Sequence, residues 1–200
     1  MNARINYWFA SDTRYRALSL ASVSKQYAQH VPPYGTETLC ADNTFPRGTR
    51  LFNLLSHTHK RGKHFWVEAP DGTRIYENFV YNDPVNQYYD PPLEFDSPDA
   101  ADRTIHYCAY YENGVEADGS PDPTTVKRRS ATPPNALKLC EPVACTSGHV
   151  GEACGGPDDR AACDSSPGAA DGECDACVAT GGNSTEDEMF ILLGAYYVRP

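Results

Sequence analysis

The chain has 200 residues and a formal net charge of −10, from 27 acidic and 17 basic side chains. That length suits one domain with a proper core, and it accommodates one β-sandwich but not two. Eleven of the acidic residues and one of the basic ones fall between residues 141 and 188, and the remainder balances, so nothing supports binding to nucleic acid or an anionic membrane, which would need a basic face.

The first twenty residues contain no apolar stretch of signal-peptide type and no span near the roughly 20 residues that a membrane helix requires. Eight cysteines, mostly in Gly/Asp/Pro-rich sequence, nevertheless imply an oxidising compartment. An extracytoplasmic protein, as a fragment or tail of a longer exported chain, is therefore expected. Ile5 to Phe9 reads as a strand. Ala17 to Tyr27 reads as a strand or, equally, a short helix, and Val31 to Gly35 breaks the pattern with two prolines. Arg50 to Lys60 is the next strand. His64 to Ala69 and Thr73 to Tyr81 alternate aromatic and polar residues on either side of Pro70-Asp71-Gly72, which predicts a β-hairpin. Arg103 to Tyr111 predicts a strand with Ile105, Tyr107 and Ala109 on one face and His106, Cys108 and Tyr110 on the other. Phe190 to Val198 reads as a terminal apolar strand. No segment sustains a helical period, so the chain is expected to be nearly all β.

Between Glu112 and Thr185 the periodicity disappears, and this stretch carries Cys140, Cys145, Cys154, Cys163, Cys174 and Cys177. Loops of such length are uncommon unless functional, disordered or stapled, and six cysteines argue for three bridges. Zinc is the alternative, because Cys174 and Cys177 form a C-x-x-C pair, but the spacings of the other four suit a second zinc pair poorly. The acidic loop from Asp164 to Asp175 lacks the ligand alternation of a calcium loop. The expected organisation is a β-sandwich made of residues 1–111 and 184–200, interrupted by a Cys-rich acidic insertion, 112–183.

The chemistry-bearing residues are His57 and His59, with Met189 far downstream. Two strand residues separated by one position point to the same face, and a thioether brought alongside completes a two-nitrogen, one-sulfur set. Copper(I) suits that set, since a soft thioether favours it, whereas zinc sites are normally built from thiolate, imidazole and carboxylate. Spacing alone would equally describe two half-buried strand histidines hydrogen-bonded to neighbours, and a methionine packs well in any core. Met1 is the only other methionine.

The run Leu54-Leu55-Ser56-His57-Thr58-His59-Lys60-Arg61-Gly62, followed later by Glu188-Met189 at the head of the terminal strand, resembles the second lobe of the type II copper, ascorbate-dependent monooxygenases. These include the peptidylglycine α-hydroxylating and dopamine β-monooxygenases. The resemblance covers roughly residues 40–111 and 184–198. It implies a jelly-roll-like β-sandwich in which His57, His59 and Met189 hold a copper that activates dioxygen to hydroxylate a C–H bond of a small-molecule or peptide substrate, with an ascorbate-like reductant. It also implies an upstream lobe with a second copper, because the adjacent histidine pair of that lobe has no counterpart here. At the positions where the peptide-amidating members anchor their substrate, this chain has Leu55, Ile191 and Leu193, which favours a neutral or apolar substrate. Both disulfides of the family are broken as written: Cys40 lacks its partner near the chain's end, and Phe190 stands where the partner of Cys108 would be. A Cys40–Cys108 bond is a possible replacement. His64 reads as a surface or supporting residue, His106 as core or supporting, and His30 and His149 as loop residues. The alternative to an enzyme lobe is a noncatalytic, disulfide-rich extracellular binding module on the same sandwich.

Overall fold

The computed structural model describes residues 16–122, 125–127, 178–183 and 187–199. Within them the chain forms β1 (Leu18–Ser22), β2 (His30–Val31), β3 (Gly35–Thr44), β4 (Thr49–His57), β5 (Gly62–Glu68), β6 (Arg74–Asn78), β7 (Gln87–Phe95), β8 (Thr104–Asn113), β9 (Ala179–Thr180) and β10 (Ile191–Val198). A single 3-10 turn, Ala101–Arg103, precedes β8. No helix among the described residues is long and apolar enough to cross a membrane.

Eight of these strands make two four-stranded antiparallel sheets, in the orders β1-β10-β4-β7 and β3-β8-β5-β6. β2 and β9 pair separately as a short ribbon. Apart from the β5–β6 hairpin, successive long strands change sheet, which is the arrangement of a jelly roll. The all-β sandwich expected from the sequence is thus the observed fold.

Alternation builds the core. On β8, Ile105, Tyr107, Ala109 and Tyr111 are buried together with Phe65 and Val67 of β5; Leu51 and Leu54 of β4 and Leu192 of β10 close over them from the other sheet. Phe190, just ahead of β10, is fully buried, with its ring 4.9 Å from Tyr107 and 5.6 Å from Phe65. It fills the core at the position that the resemblance gives to a partner for Cys108. Cys108 instead bonds Cys40, its direct cross-strand partner in the β3–β8 register, across a sequence separation of 68. On a chain-entropy account, closing a loop of that length stabilises the fold by roughly 4 kcal/mol.

The β5–β6 hairpin turns as expected at Pro70-Asp71-Gly72, with Gly72 at φ 82° and Asp71 Oδ1 accepting from the Thr73 N–H. The strand expected over Ala17–Tyr27 ends at Ser22, and residues 23–28 turn through the Gln26 N–H to Val23 O and Ala28 N–H to Lys25 O hydrogen bonds. β8 continues to Asn113, an isolated antiparallel bridge joins Val115 to Pro121, and Val178 and Ala179 are buried at β9. Ile5–Phe9, His149 and the six cysteines from Cys140 to Cys177 lie outside the described residues.

Gly48 joins β3 to β4 at φ 84°, and an added Cβ would meet the Arg199 carbonyl oxygen at 2.4 Å. A Cβ on Gly72 would meet nothing within 4 Å. Gly48→Ala is therefore expected to cost clearly more stability than Gly72→Ala, which carries only the left-handed backbone penalty of about 1 kcal/mol. Urea unfolding of the two variants measures the difference; equal costs would contradict the close approach.

Candidate metal centre

β4 ends at His57, and His59 follows in the corner that leads to β5. Their rings lie 5.3 Å apart between centroids, at 90° to one another, and both are half-buried. β10 reaches them from the adjoining position in the sheet: Ile191 pairs with His57 in the antiparallel register. The residues just ahead of it, beginning with Asp187 and Glu188, therefore run alongside His59. Met189 sits half-buried between two fully buried neighbours, Glu188 and Phe190. Its carbonyl accepts a 2.7 Å hydrogen bond from the Tyr111 hydroxyl.

Glu188 fixes this corner. Its carboxylate accepts from the His59 N–H at 3.2 Å through one oxygen and from the Arg61 N–H at 2.9 Å through the other. The Arg61 guanidinium stands 3.9 Å away. Glu188 also enters a parallel bridge with Gly181: its N–H donates to Thr180 O, and its carbonyl accepts from the Gly182 N–H. Burial pushes the carboxyl up to about 7, opposed by the Arg61 N–H, the Arg61 charge and the His59 N–H. A buried carboxylate with two charge-assisted backbone donors is costly to disturb, because removing it orphans groups that water cannot reach.

His59 has its tautomer set. Nδ1 lies 2.9 Å from the carbonyl oxygen of Asp187, which can only accept, so Nδ1 carries the proton and Nε2 presents the lone pair. The Asp187 side chain is itself held by the buried Lys127 ammonium at 2.9 Å. Burial, with a smaller contribution from His59, lowers the pKa of His57, which keeps its imidazole neutral at neutral pH. A neutral imidazole is the form in which histidine ligates a metal, and a hydrogen bond at its other ring nitrogen orients it. No third imidazole, thiol or carboxylate converges with the pair among the described residues. The Asp187 and Glu188 carboxylates are occupied elsewhere, by Lys127 and by the His59 and Arg61 N–H groups.

On the outer face, Ile191 stands opposite His57 and Leu193 opposite Leu55, all half-buried. The surroundings of the histidines on this side are apolar. Behind the corner, Lys60, Arg61 and Lys63 face Glu112, Glu116 and Asp122 around an open cavity of about 470 Å³.

The remaining described histidines are distributed differently. His30 is exposed on β2. His64 bonds Glu77 at 2.8 Å and stacks between Trp66 and Phe79 at 4.6 and 4.4 Å. His106, expected in the core or beside the metal, is exposed and bonds Asp42 at 2.7 Å. With Cys40 and Cys108 it forms a second group able to hold a metal ion, its ligand atoms all within 4.8 Å of one another, although the two sulfurs are bonded to each other. Sequence reasoning left this group unassembled, and the signal was the shared parity of Cys40 and Asp42 on one strand and of His106 and Cys108 on another. It gave Glu188 no role beyond its place ahead of Met189, because an acidic run reads as solvated. No protein-family model and no curated protein sequence matches the chain.

Glu188→Gln keeps the side-chain shape but turns an amide NH2 toward one of the two backbone donors. It is expected to cost about 1–3 kcal/mol in metal-free protein. Because the folded-state pKa of Glu188 lies above its ordinary value of 4.5, the native state holds that proton to higher pH than the unfolded chain, and this contribution to stability is lost as pH rises toward 7. The stability gap between wild type and Glu188→Gln should therefore narrow from pH 5 to pH 8 in urea titrations; a gap that widens would refute the raised pKa.

Proposed function

We propose that this chain is a copper-binding sandwich lobe that serves as the oxygen-activating half of an exported monooxygenase. The observation that carries the reading is the corner itself: two imidazoles side by side at the end of β4, one oriented by the Asp187 carbonyl, and the only methionine among the described residues brought alongside on the neighbouring segment. The motif order of the sequence supports the same reading. Copper bound there would supply the one-electron chemistry that lets dioxygen attack an activated C–H bond. The protein's part is to hold His59 through the Glu188 clamp, with His57 fixed at the end of β4, and to leave room on the outer face for a substrate. Leu55, Ile191 and Leu193 give that face no charge with which to grip a carboxylate, so the substrate is neutral or apolar around its reacting carbon. The disulfide between Cys40 and Cys108 fits an extracytoplasmic setting.

The full chain, kept oxidised so that its disulfides persist, is expected to bind one Cu(I) per chain in a chelator competition. His57→Ala or His59→Ala should abolish that site. Met189→Ile should weaken Cu(I) by roughly tenfold, about 1.4 kcal/mol, and Cu(II) less, because only the soft ion gains much from sulfur. X-ray absorption of the reduced copper protein without a sulfur scatterer would sink the assignment.

Hydroxylation with dioxygen consumes two electrons beyond those of the substrate, and a single Cu(I) supplies one. No three-histidine group exists among the described residues to hold a second copper. Isolated chain with copper, ascorbate and oxygen should therefore consume oxygen slowly with little product, and coupling should be restored only by a second copper lobe. Tight coupling of oxygen to product by this chain alone, at one copper per chain, would exclude the half-enzyme reading.

A further inference from the structure

Cys40, Asp42, His106 and Cys108 form a square on the outer face of the β3–β8 ladder. Cys40 pairs with Cys108 and Asp42 with His106 in the antiparallel register, and alternation puts all four on one side. The side chains are already connected. Asp42 Oδ1 lies 2.7 Å from His106 Nδ1, and His106 Nε2 lies 3.2 Å from Cys108 Sγ. A carboxylate only accepts, so it holds the proton on Nδ1 and turns the Nε2 lone pair toward the sulfur. That is the carboxylate–histidine arrangement with which proteins orient an imidazole for a metal.

The geometry points to a second, redox-gated metal site: on reduction of the Cys40–Cys108 bond, Cys40, Cys108 and His106 become ligands for a zinc-type divalent ion, with Asp42 orienting His106. The inference uses none of the residues of the His57–His59–Met189 centre and stands apart from the reading proposed for it. A thiol reductant supplies the two electrons and two protons that convert the disulfide to two thiols, and is itself oxidised to a disulfide. The ion then displaces both thiol protons and binds two thiolates and one neutral imidazole, with water in the fourth position, a ligand set that zinc accepts. The strands stay in register without the covalent bond, because the β3–β8 ladder runs for ten residues from Gly35↔Asn113 to Thr44↔Thr104. Lys25 Nζ, which donates to the Cys40 carbonyl at 2.7 Å, adds a positive charge that favours a thiolate beside it. His106 is exposed and Cys40 only half-buried, so reductant and ion have an approach. Disulfide and metal are alternative states of the same side chains.

The test is cobalt(II) titration of the full chain carrying His57→Ala, which removes the first centre. Protein reduced with a phosphine and desalted without oxygen should give thiolate-to-cobalt charge-transfer absorption that zinc bleaches; the unreduced protein should give none. Because the cysteines of the insertion are reduced as well, the decisive comparison is with His106→Ala in the same background. Being a change at an exposed side chain, it should leave the fold intact and lose one equivalent of thiolate-bound cobalt. Cys40→Ser should lose the same equivalent, and Asp42→Asn should keep it with affinity lowered about 10–100-fold. An unchanged cobalt stoichiometry and spectrum in His106→Ala, or reduced thiols that give no charge-transfer band, would overturn the proposal.

Discussion

A single buried carboxylate closes this sandwich. Glu188 spans from the last part of the chain to the corner between β4 and β5, where it takes the N–H groups of His59 and Arg61, residues that lie 129 and 127 positions earlier. The distance in sequence matters because β10 is an interior strand. It runs between β1 and β4, and β1 has no other partner in its sheet. The chain therefore has to come back from its excursion after β8 and slot β10 between two strands made long before. Hydrophobic burial of Phe190 and Leu192 drives that insertion, but burial is non-directional. The Glu188 hydrogen bonds specify the register, and a slip by one residue would turn Phe190 outward and Met189 inward.

The same corner is tied into a wider polar network that lies beneath the histidines. Asn113, at the end of β8, donates to the carbonyls of Val31 and Pro32 and accepts from the Arg61 side chain and the Lys127 N–H. Lys127 continues to Asp187, whose carbonyl orients His59. Arg61 continues to Glu188. Each member is buried or nearly so, and each satisfies another, which is the condition under which a polar network rigidifies a site instead of weakening a core. His57 and His59 are held by backbone and by this network more than by contacts of their own rings. Such support restricts the orientation of the His59 ring.

Much of this was legible in the sequence where local pattern and tertiary environment agree. The hairpin at Asp71-Gly72, the two faces of β8 and the terminal apolar strand all follow from alternation and turn chemistry. β7 was not legible, because Asp90-Pro91-Pro92 interrupts it; it is tolerated because β7 lies at a sheet edge, where a missing donor faces no partner. β3 was hidden by its mixture of threonines and acids, and it becomes a strand through its long ladder with β8. The adjacency of His57 and His59 came from spacing alone. The burial of Glu188 did not, since Glu186-Asp187-Glu188 looks solvated until the β4–β5 corner is folded over it. The Cys40–Cys108 pair stood as one possibility among others, and the register of β3 on β8 decides it.

The interior position of β10 also bears on how this protein is made. Translation delivers strands in order, so while residues 114–190 are being synthesised the first sheet has a gap between β1 and β4, with two sets of unpaired backbone groups and an uncovered apolar seam. A chain in that state offers a template for any extended segment, including one from another molecule. Contacts that close only after such a separation are slow to form, because loop-closure entropy precedes the reward. The nascent protein is thus exposed to strand exchange until β10 emerges, and up to that point the gap has to stay open and unclaimed.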